Sequence, residues 1–175
     1  MGGDFAPQAT IRGALQALDE LGENHSVQLV GQSAIIEREL AGLLSGELGA
    51  YAHVRPRISI VEAPDMIEMS DKPTVALRGK PKNPMAVGLK LQVAGDSEAF
   101  VSAGNTGAQM AASAVILGLH EGLKRPPVST ILPTSREPIV FLDSGANVDC
   151  SAGELLQFAW LGAIYAECVL DRTNP

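Results

Sequence analysis

Short β-prone runs alternate along this chain with helical stretches, and two of those runs end in Gly/Asn loops that open new helices. This alternation constrains the fold most, because strand, helix and strand in succession build a parallel sheet covered by helices on both faces. The first junction is Phe100-Val101 leading into Ser102-Ala-Gly-Asn-Thr-Gly107. The second is the run 139–142 leading into Asp143-Ser-Gly-Ala-Asn-Val-Asp149. A strand, a glycine turn and a helix start leave backbone N–H groups unpaired, which suits phosphate or another oxyanion. Two such loops imply a site at the carboxyl edge of an α/β sheet.

Composition narrows the class. With 175 residues and 46% hydrophobic content, the chain is long enough to bury one ordinary core. Eighteen glycines, eleven prolines and only 4% aromatics suit an α/β fold with many tight turns better than a sandwich. A net charge of −7 argues against a general nucleic-acid binder, though a local basic patch remains available to an acidic partner. No apolar run approaches the ~18 residues of a membrane span, and no signal-peptide pattern is visible. Cys150 and Cys168 are too few and too far apart for a zinc site or a disulfide framework, so the expected compartment is the reducing cytoplasm. Met1-Gly-Gly-Asp4 is a turn with no strand before it, and Thr173-Asn-Pro175 stops where a new strand is due. The expectation is a single α/β domain over 1–175 belonging to a longer protein. Its missing first strand leaves a sheet edge that predicts poor solubility or assembly with a second copy.

Element by element, 7–21 reads as a helix with Ile11, Leu15, Leu18 and Leu21 on one face. The run 27–30 is a buried strand, and Ser33 is expected to cap a helix with the stripe Ile36, Leu40, Leu43 and Leu44. An irregular loop over 45–56 leads to a strand at 58–61. A short helix over 73–78 follows, then one over 84–94 with Val87, Leu91 and Ala94 inward. Strands are expected at 99–102, 128–132 and 139–142, with a small-residue helix over 107–119 after the first loop. Ser151-Ala-Gly-Glu154 is a capping box opening a last helix that runs to about Leu170.

The candidate chemistry lies in the loops. In the first, the side chains of Asn105 and Thr106 stand ready to donate to an anion held by the backbone, although a lone glycine loop is equally a plain structural turn. The second adds Asn147 and Asp149 ahead of a capped helix. Between positions 71 and 90, Lys72, Arg78, Lys80, Lys82 and Lys90 face Asp71 as the only acid. They form either a solvated helix face or a basic patch for phosphate or an acidic protein. His25, His53 and His120 have no Ser or Cys in a nucleophile turn nearby, so a catalytic triad is not expected. Cys150 lies near a helix start, a place where reactive thiols occur, but a small packing role fits it better. Asp4, Asp143 and Asp149 would suit Mg²⁺ if they converged, while capping is the commoner role for Asp at helix starts.

In this order, Met1-Gly-Gly-Asp4 with Pro7, Ile67-Glu-Met69 with Asp71-Lys-Pro73, Ala76-Leu-Arg78, the 102–107 loop, Leu132-Pro133 and Gly145-Ala-Asn-Val-Asp-Cys150 closely resemble one family. It is the bacterial phosphate acyltransferases of phospholipid synthesis (PlsX-type), and Gln157-Phe158 and Tyr165-Ala-Glu167 fit it as well. The resemblance implies a three-layer α/β/α fold, Rossmann-like and isopropylmalate-dehydrogenase-like, with a mostly parallel sheet incomplete at both ends. It implies attack of inorganic phosphate on the thioester of acyl-acyl-carrier-protein, without a cofactor or metal. The implied catalytic set is Asn105, Asn147, Asp149 and Lys72; the implied phosphate contacts are Gly3, Asp4, Arg78, Ser102, Gly104, Thr106, Gly107 and Gly145. The implied partners are acyl carrier protein and a downstream glycerol-3-phosphate acyltransferase, in a cytoplasmic homodimer attached peripherally to the membrane through its C-terminal half. One departure stands out: Asn83-Pro-Met85 replaces the Ser-Ser-Met common in the family, which puts those hydroxyls' part in substrate binding in question. A phosphotransacetylase-like or isopropylmalate-dehydrogenase-like enzyme, and an inactive fragment keeping only an anion site, are the competing readings; no GxGxxG fingerprint favours the former.

Overall fold

The computed structural model describes residues 2–68 and 70–175, so Met1 and the Met69 of the resemblance motif lie outside the described residues. The chain is α/β and divides into two compact units, Met1–Ile116 and Leu117–Pro175.

The first unit opens with α1 (Gln8–Glu20), entered through Pro7. Its Ile11, Leu15 and Leu18 are buried as the spacing predicts, each contributing about 2 kcal/mol of burial. Leu21 is not part of that stripe: it is the extended residue that ends the helix, and it is exposed. The helix end is instead covered by Arg57, whose guanidinium donates to the carbonyls of Leu18 and Gly22, where the backbone dipole favours a cation. Strands β1 (Val27–Gly31) and β2 (Ile58–Glu62) pair in parallel, from Val27 opposite Ile58 to Gly31 opposite Glu62. Parallel neighbours need a long crossover. Here it is α2 (Ser33–Ser45) followed by a 3₁₀ helix, Gly49–Arg57, where the sequence pattern indicates only a loop. Ser33 does not cap α2. Gln32 holds the cap position, and the Ser33 N–H donates to Glu62 Oε2 at 2.9 Å from the end of β2. The Ser33 hydroxyl first, and this N–H bond second, keep the Glu62 carboxyl below its ordinary pKa.

The rest of the unit is helical: α3 (Pro73–Gly79), α4 (Pro84–Ala94) and α5 (Thr106–Ile116). The α4 boundaries match the sequence reading, but its inward face does not. Met85, Ala86 and Leu89 are buried, while Val87 and Leu91 are partly covered and Ala94 is exposed. The helix is apolar almost all round, so periodicity alone has no face to choose. Residues 99–102 form no strand. Phe100 lies against α4 with its ring where a Gly88 side chain would stand, whereas Val101 is 91% exposed, and among the described residues no strand pairs with 99–102.

The second unit contains β3 (Thr130–Leu132), β4 (Ile139–Phe141) and α6 (Ala152–Leu170). β3 and β4 are antiparallel, pairing Thr130 with Phe141 and Leu132 with Ile139, and so depart from the expected parallel order. The connection 133–138 is too short for a parallel crossover and permits only a hairpin. The predicted capping box is present: Ser151 Oγ accepts from the Glu154 N–H, and Glu154 Oε2 accepts from the Ser151 N–H at 2.8 Å. Among the described residues, no helix is long and apolar enough to cross a membrane.

Candidate functional site

The first glycine loop is built by backbone meeting backbone. A Cβ on Gly2 would lie 3.1 Å from the Gly104 nitrogen and 3.3 Å from Ser102 Oγ. Gly3 adopts φ +95°, open to glycine alone without strain, and a Cβ there would lie 3.2 Å from the Ala103 carbonyl oxygen. From the other side, the Met85 methyl of α4 would stand 2.9 Å from a Cβ on Gly104. The Gly2–Gly3 turn and the 102–107 loop are therefore one wall, assembled from the two ends of the unit. Ser102 Oγ accepts from the Gly104 N–H at 3.1 Å, which folds the loop back on itself.

Asn105 is buried and caps α5, its Oδ1 accepting from the Ala108 N–H at 2.9 Å. Its Nδ2 donates at 3.4 Å to the carbonyls of both Glu68 and Asp71. The N–H groups of the first α5 turn, Thr106 and Gly107, have no intrahelical acceptor by position, and Thr106 is exposed. Helix starts of this kind, beside glycine backbone, are where proteins commonly accept anions.

The cationic segment frames the same region. Asp71 accepts from Lys80 Nζ at 2.6 Å and from the Glu68 N–H at 2.9 Å; the Lys80 bond first, then the amide, hold its carboxyl below the usual pKa. Asp65 and Lys82 tie the base of the segment, with Asp65 Oδ2 accepting from the Lys82 N–H at 2.8 Å. Lys80 is thereby neutralised, while among the described residues neither Lys72 nor Arg78 is in an ion pair, and both are exposed. α3, which carries Arg78 at its end, packs against α5. Gly3, Ser102, Gly104, Asn105, Thr106 and Gly107 are thus brought together, with Lys72 following directly on the turn that Asn105 holds; Asp4 is exposed in the adjoining turn. Asn83, the departure from the Ser-Ser-Met pattern, is fully buried and caps α4: its Oδ1 accepts from the Ala86 N–H at 2.9 Å and its Nδ2 donates to the Lys80 carbonyl. Its role was readable from Asn-Pro ahead of an apolar stretch.

The second loop belongs to the other unit and is held differently. Asp143 accepts from the Val128 N–H at 2.7 Å and from the Asn147 N–H. Burial pushes the Asp143 carboxyl up, but the amides of Val128, Asn147 and Ala146 and the Asn147 side chain outweigh it and leave it below the ordinary value. Asp143 is thus a loop organiser, not a helix cap. Asn147 Nδ2 donates to the Pro126 carbonyl at 3.0 Å, Gly145 sits at φ +99°, and Asp149 is exposed with its carbonyl accepting from Arg125. Glu154 is buried below its ordinary pKa, held first by Ser151 and also by Arg125 at 3.2 Å. Among the described residues, no group of three or more His, Cys, Asp or Glu side chains is placed to hold a metal ion. Cys150 is half-buried, with its Sγ 3.8 Å from the Asn147 carbonyl oxygen. Asp71, Lys80 and Asp143 organise the segments around the two loops, a part that sequence reasoning did not give them. Their signals were an Asp nine residues ahead of a Lys and an Asp four residues ahead of an Asn amide.

Against known proteins, residues 1–175 match the family described as fatty acid synthesis protein. The chain is 46% identical over 175 residues to the phosphate acyltransferase of Desulforamulus reducens, covering all of this chain and 49% of that protein. It is 45% identical to the phosphate acyltransferase of Stutzerimonas stutzeri, covering 47% of it, and 44% identical to that of Salinibacter ruber, covering 49% of it. The chain spans about half the length of these curated relatives.

Proposed function

The chain belongs to the fatty acid synthesis protein family, and from that premise we propose that it carries part of a phosphate acyltransferase acting on acyl-acyl-carrier-protein. Inorganic phosphate attacks the thioester carbonyl, and the tetrahedral oxyanion collapses with loss of the carrier thiolate. Acyl phosphate remains. Phosphate is already an anionic nucleophile at neutral pH, so the reaction asks the protein for placement and oxyanion stabilisation, not for a strong base. Oriented N–H groups at a glycine wall are suited to that demand.

The observation that carries the reading is the approach of Gly2 and Gly3 to Ala103 and Gly104 at the start of α5. In this proposal Ser102, Gly104, Thr106 and Gly107 hold phosphate with Gly3 and Asp4 beside them, and Lys72 and Arg78 supply positive charge. Asn105 fixes and orients that loop. Asn147 orients reacting groups from its own loop, with Gly145 and Asp149 next to it. β1 and β2, joined by a helical crossover, are taken as neighbouring strands of a three-layer α/β/α sheet of the Rossmann-like, isopropylmalate-dehydrogenase-like kind. The product would pass to a glycerol-3-phosphate acyltransferase, and the working protein would be a cytoplasmic homodimer bound peripherally to the membrane.

The test is phosphate-dependent consumption of acyl-acyl-carrier-protein, with acyl phosphate trapped by hydroxylamine. It is run on this chain and on a version extended to the length of its relatives. Asn105→Asp is the decisive variant, read beside Asn105→Ala: both lose the donor to the Glu68 and Asp71 carbonyls, while Asp keeps the cap on the Ala108 N–H and adds a negative charge. The added negative charge raises KM for phosphate by about a hundredfold, an electrostatic cost of two to three kcal/mol in a partly desolvated site. Unchanged kinetics in Asn105→Asp removes Asn105 from the site, and no phosphate-dependent turnover in the folded extended protein sinks the acyltransferase reading.

A further inference from the structure

Asp71 touches none of the N–H groups proposed to face phosphate, yet the contacts that fix those groups run through it. Its carboxylate bonds Lys80 Nζ at 2.6 Å and so closes the segment that contains α3. The same carboxylate accepts from the Glu68 N–H at 2.9 Å, while the Asp71 N–H donates to the Glu68 carbonyl at 3.1 Å. These two bonds shape the 68–71 turn. The turn offers the Glu68 and Asp71 carbonyls to Asn105 Nδ2, and Asn105 Oδ1 holds the Ala108 N–H at the other end of the same amide. An amide group is planar and rigid, so Asn105 serves both ends only when the turn stands in register with α5. Next in line are the Gly104 N–H, closed on Ser102 Oγ, and the Gly2 backbone against it.

We propose that Asp71 is a positioning residue for acyl transfer: acting through the 68–71 turn and Asn105, it sets the orientation of the α5 N-terminus and the 102–107 loop. The inference rests on the phosphate reading of that loop. A purely structural Asp71 would behave otherwise, because a half-exposed ion pair contributes little to stability and its removal is close to silent. Misplacing a substrate-binding loop by a fraction of an ångström costs rate far out of proportion to stability.

The experiment measures kcat/KM for inorganic phosphate in the extended protein for Asp71→Ala, Asp71→Glu, Asn105→Ala and the Asp71→Ala/Asn105→Ala pair. Amide hydrogen exchange is followed at Gly104 and Ala108. Asp71→Ala lowers kcat/KM for phosphate about ten- to a hundredfold with little change in melting temperature. Asp71→Glu, which restores the acceptor, recovers most of the loss, and the double variant is no worse than Asn105→Ala because both act along one path. Gly104 and Ala108 exchange faster in Asp71→Ala. Wild-type kcat/KM in folded Asp71→Ala, or losses that multiply in the double variant, overturn the proposal. Should Asp71→Ala not fold, Asp71→Asn carries the test: a roughly three- to tenfold fall supports the proposal, and no fall overturns it. If the wild-type protein transfers no acyl group to phosphate, the phosphate reading fails by itself. The exchange comparison then decides separately whether Asp71 orders α5, and unchanged exchange overturns that step too.

Discussion

The two Gly/Asn loops look alike in sequence and are stabilised by different means. The 102–107 loop is held by an uncharged amide, Asn105, buried between a helix end and a neighbouring turn, and by glycine backbone from the opposite end of its unit. The 143–150 loop is held by one carboxylate, Asp143, that gathers N–H groups from Val128 and Asn147. An amide both gives and accepts, so it can bridge two elements. A carboxylate only accepts, so it collects donors around a point. The first loop is consequently sensitive to the placement of distant elements, and the second to charge.

Gly88→Val strikes the support of the first loop hardest. A Cβ there would lie 2.4 Å from the Phe100 ring, just ahead of the loop, and the overcrowding costs about 3 kcal/mol in urea denaturation. Asp143→Ala strands the Val128 and Asn147 N–H groups and costs about 2 kcal/mol by the same method. A smaller loss would mean that the carboxylate does not organise its loop. Asn105→Ala removes the cap and the bonds to the Glu68 and Asp71 carbonyls and costs about 1.5 kcal/mol of stability, while its effect on phosphate kinetics is much larger. Equal stability and kinetic losses would mean that Asn105 only caps α5. The mildest probe is acid. Asp143 has a folded pKa below its unfolded value, so its contribution is complete above the unfolded pKa and is lost as pH falls through the folded one, below about pH 4. The Asn147 and Val128 amide resonances should move in that window, and the Ala108 amide, bonded to an oxygen that does not titrate, should move less.

Much of this architecture was legible in advance, for reasons that are local. Asn83-Pro84 and Gly95 bracket α4, and Ser151 with Glu154 starts α6, because caps are decided within a few residues. The α1 stripe Ile11, Leu15 and Leu18 was legible because its opposite face is polar. The inward face of α4 was not, since nearly every residue in it is apolar. Residues 99–102 have a strand's composition but lack a strand's neighbour, and pairing is a property of two segments. In the site, the glycines and Asn105 were marked by residue type. That Asn105 spends its amide on the 68–71 turn depended on a contact more than thirty positions away.

The meeting of Gly2 with Gly104 also has a kinetic side. Joining positions roughly 100 residues apart costs about 4 kcal/mol of loop-closure entropy, which must be met before the contact returns anything. The β1–α2–β2 core is built from nearer neighbours, so loop-closure entropy favours its ordering before the glycine wall closes. On a growing chain the wall cannot form until the segment around position 104 has been synthesised. A region that closes last through backbone contact is expected to open first, so amide exchange at Gly104 should run faster than exchange at Leu29 in the β1–α2–β2 core.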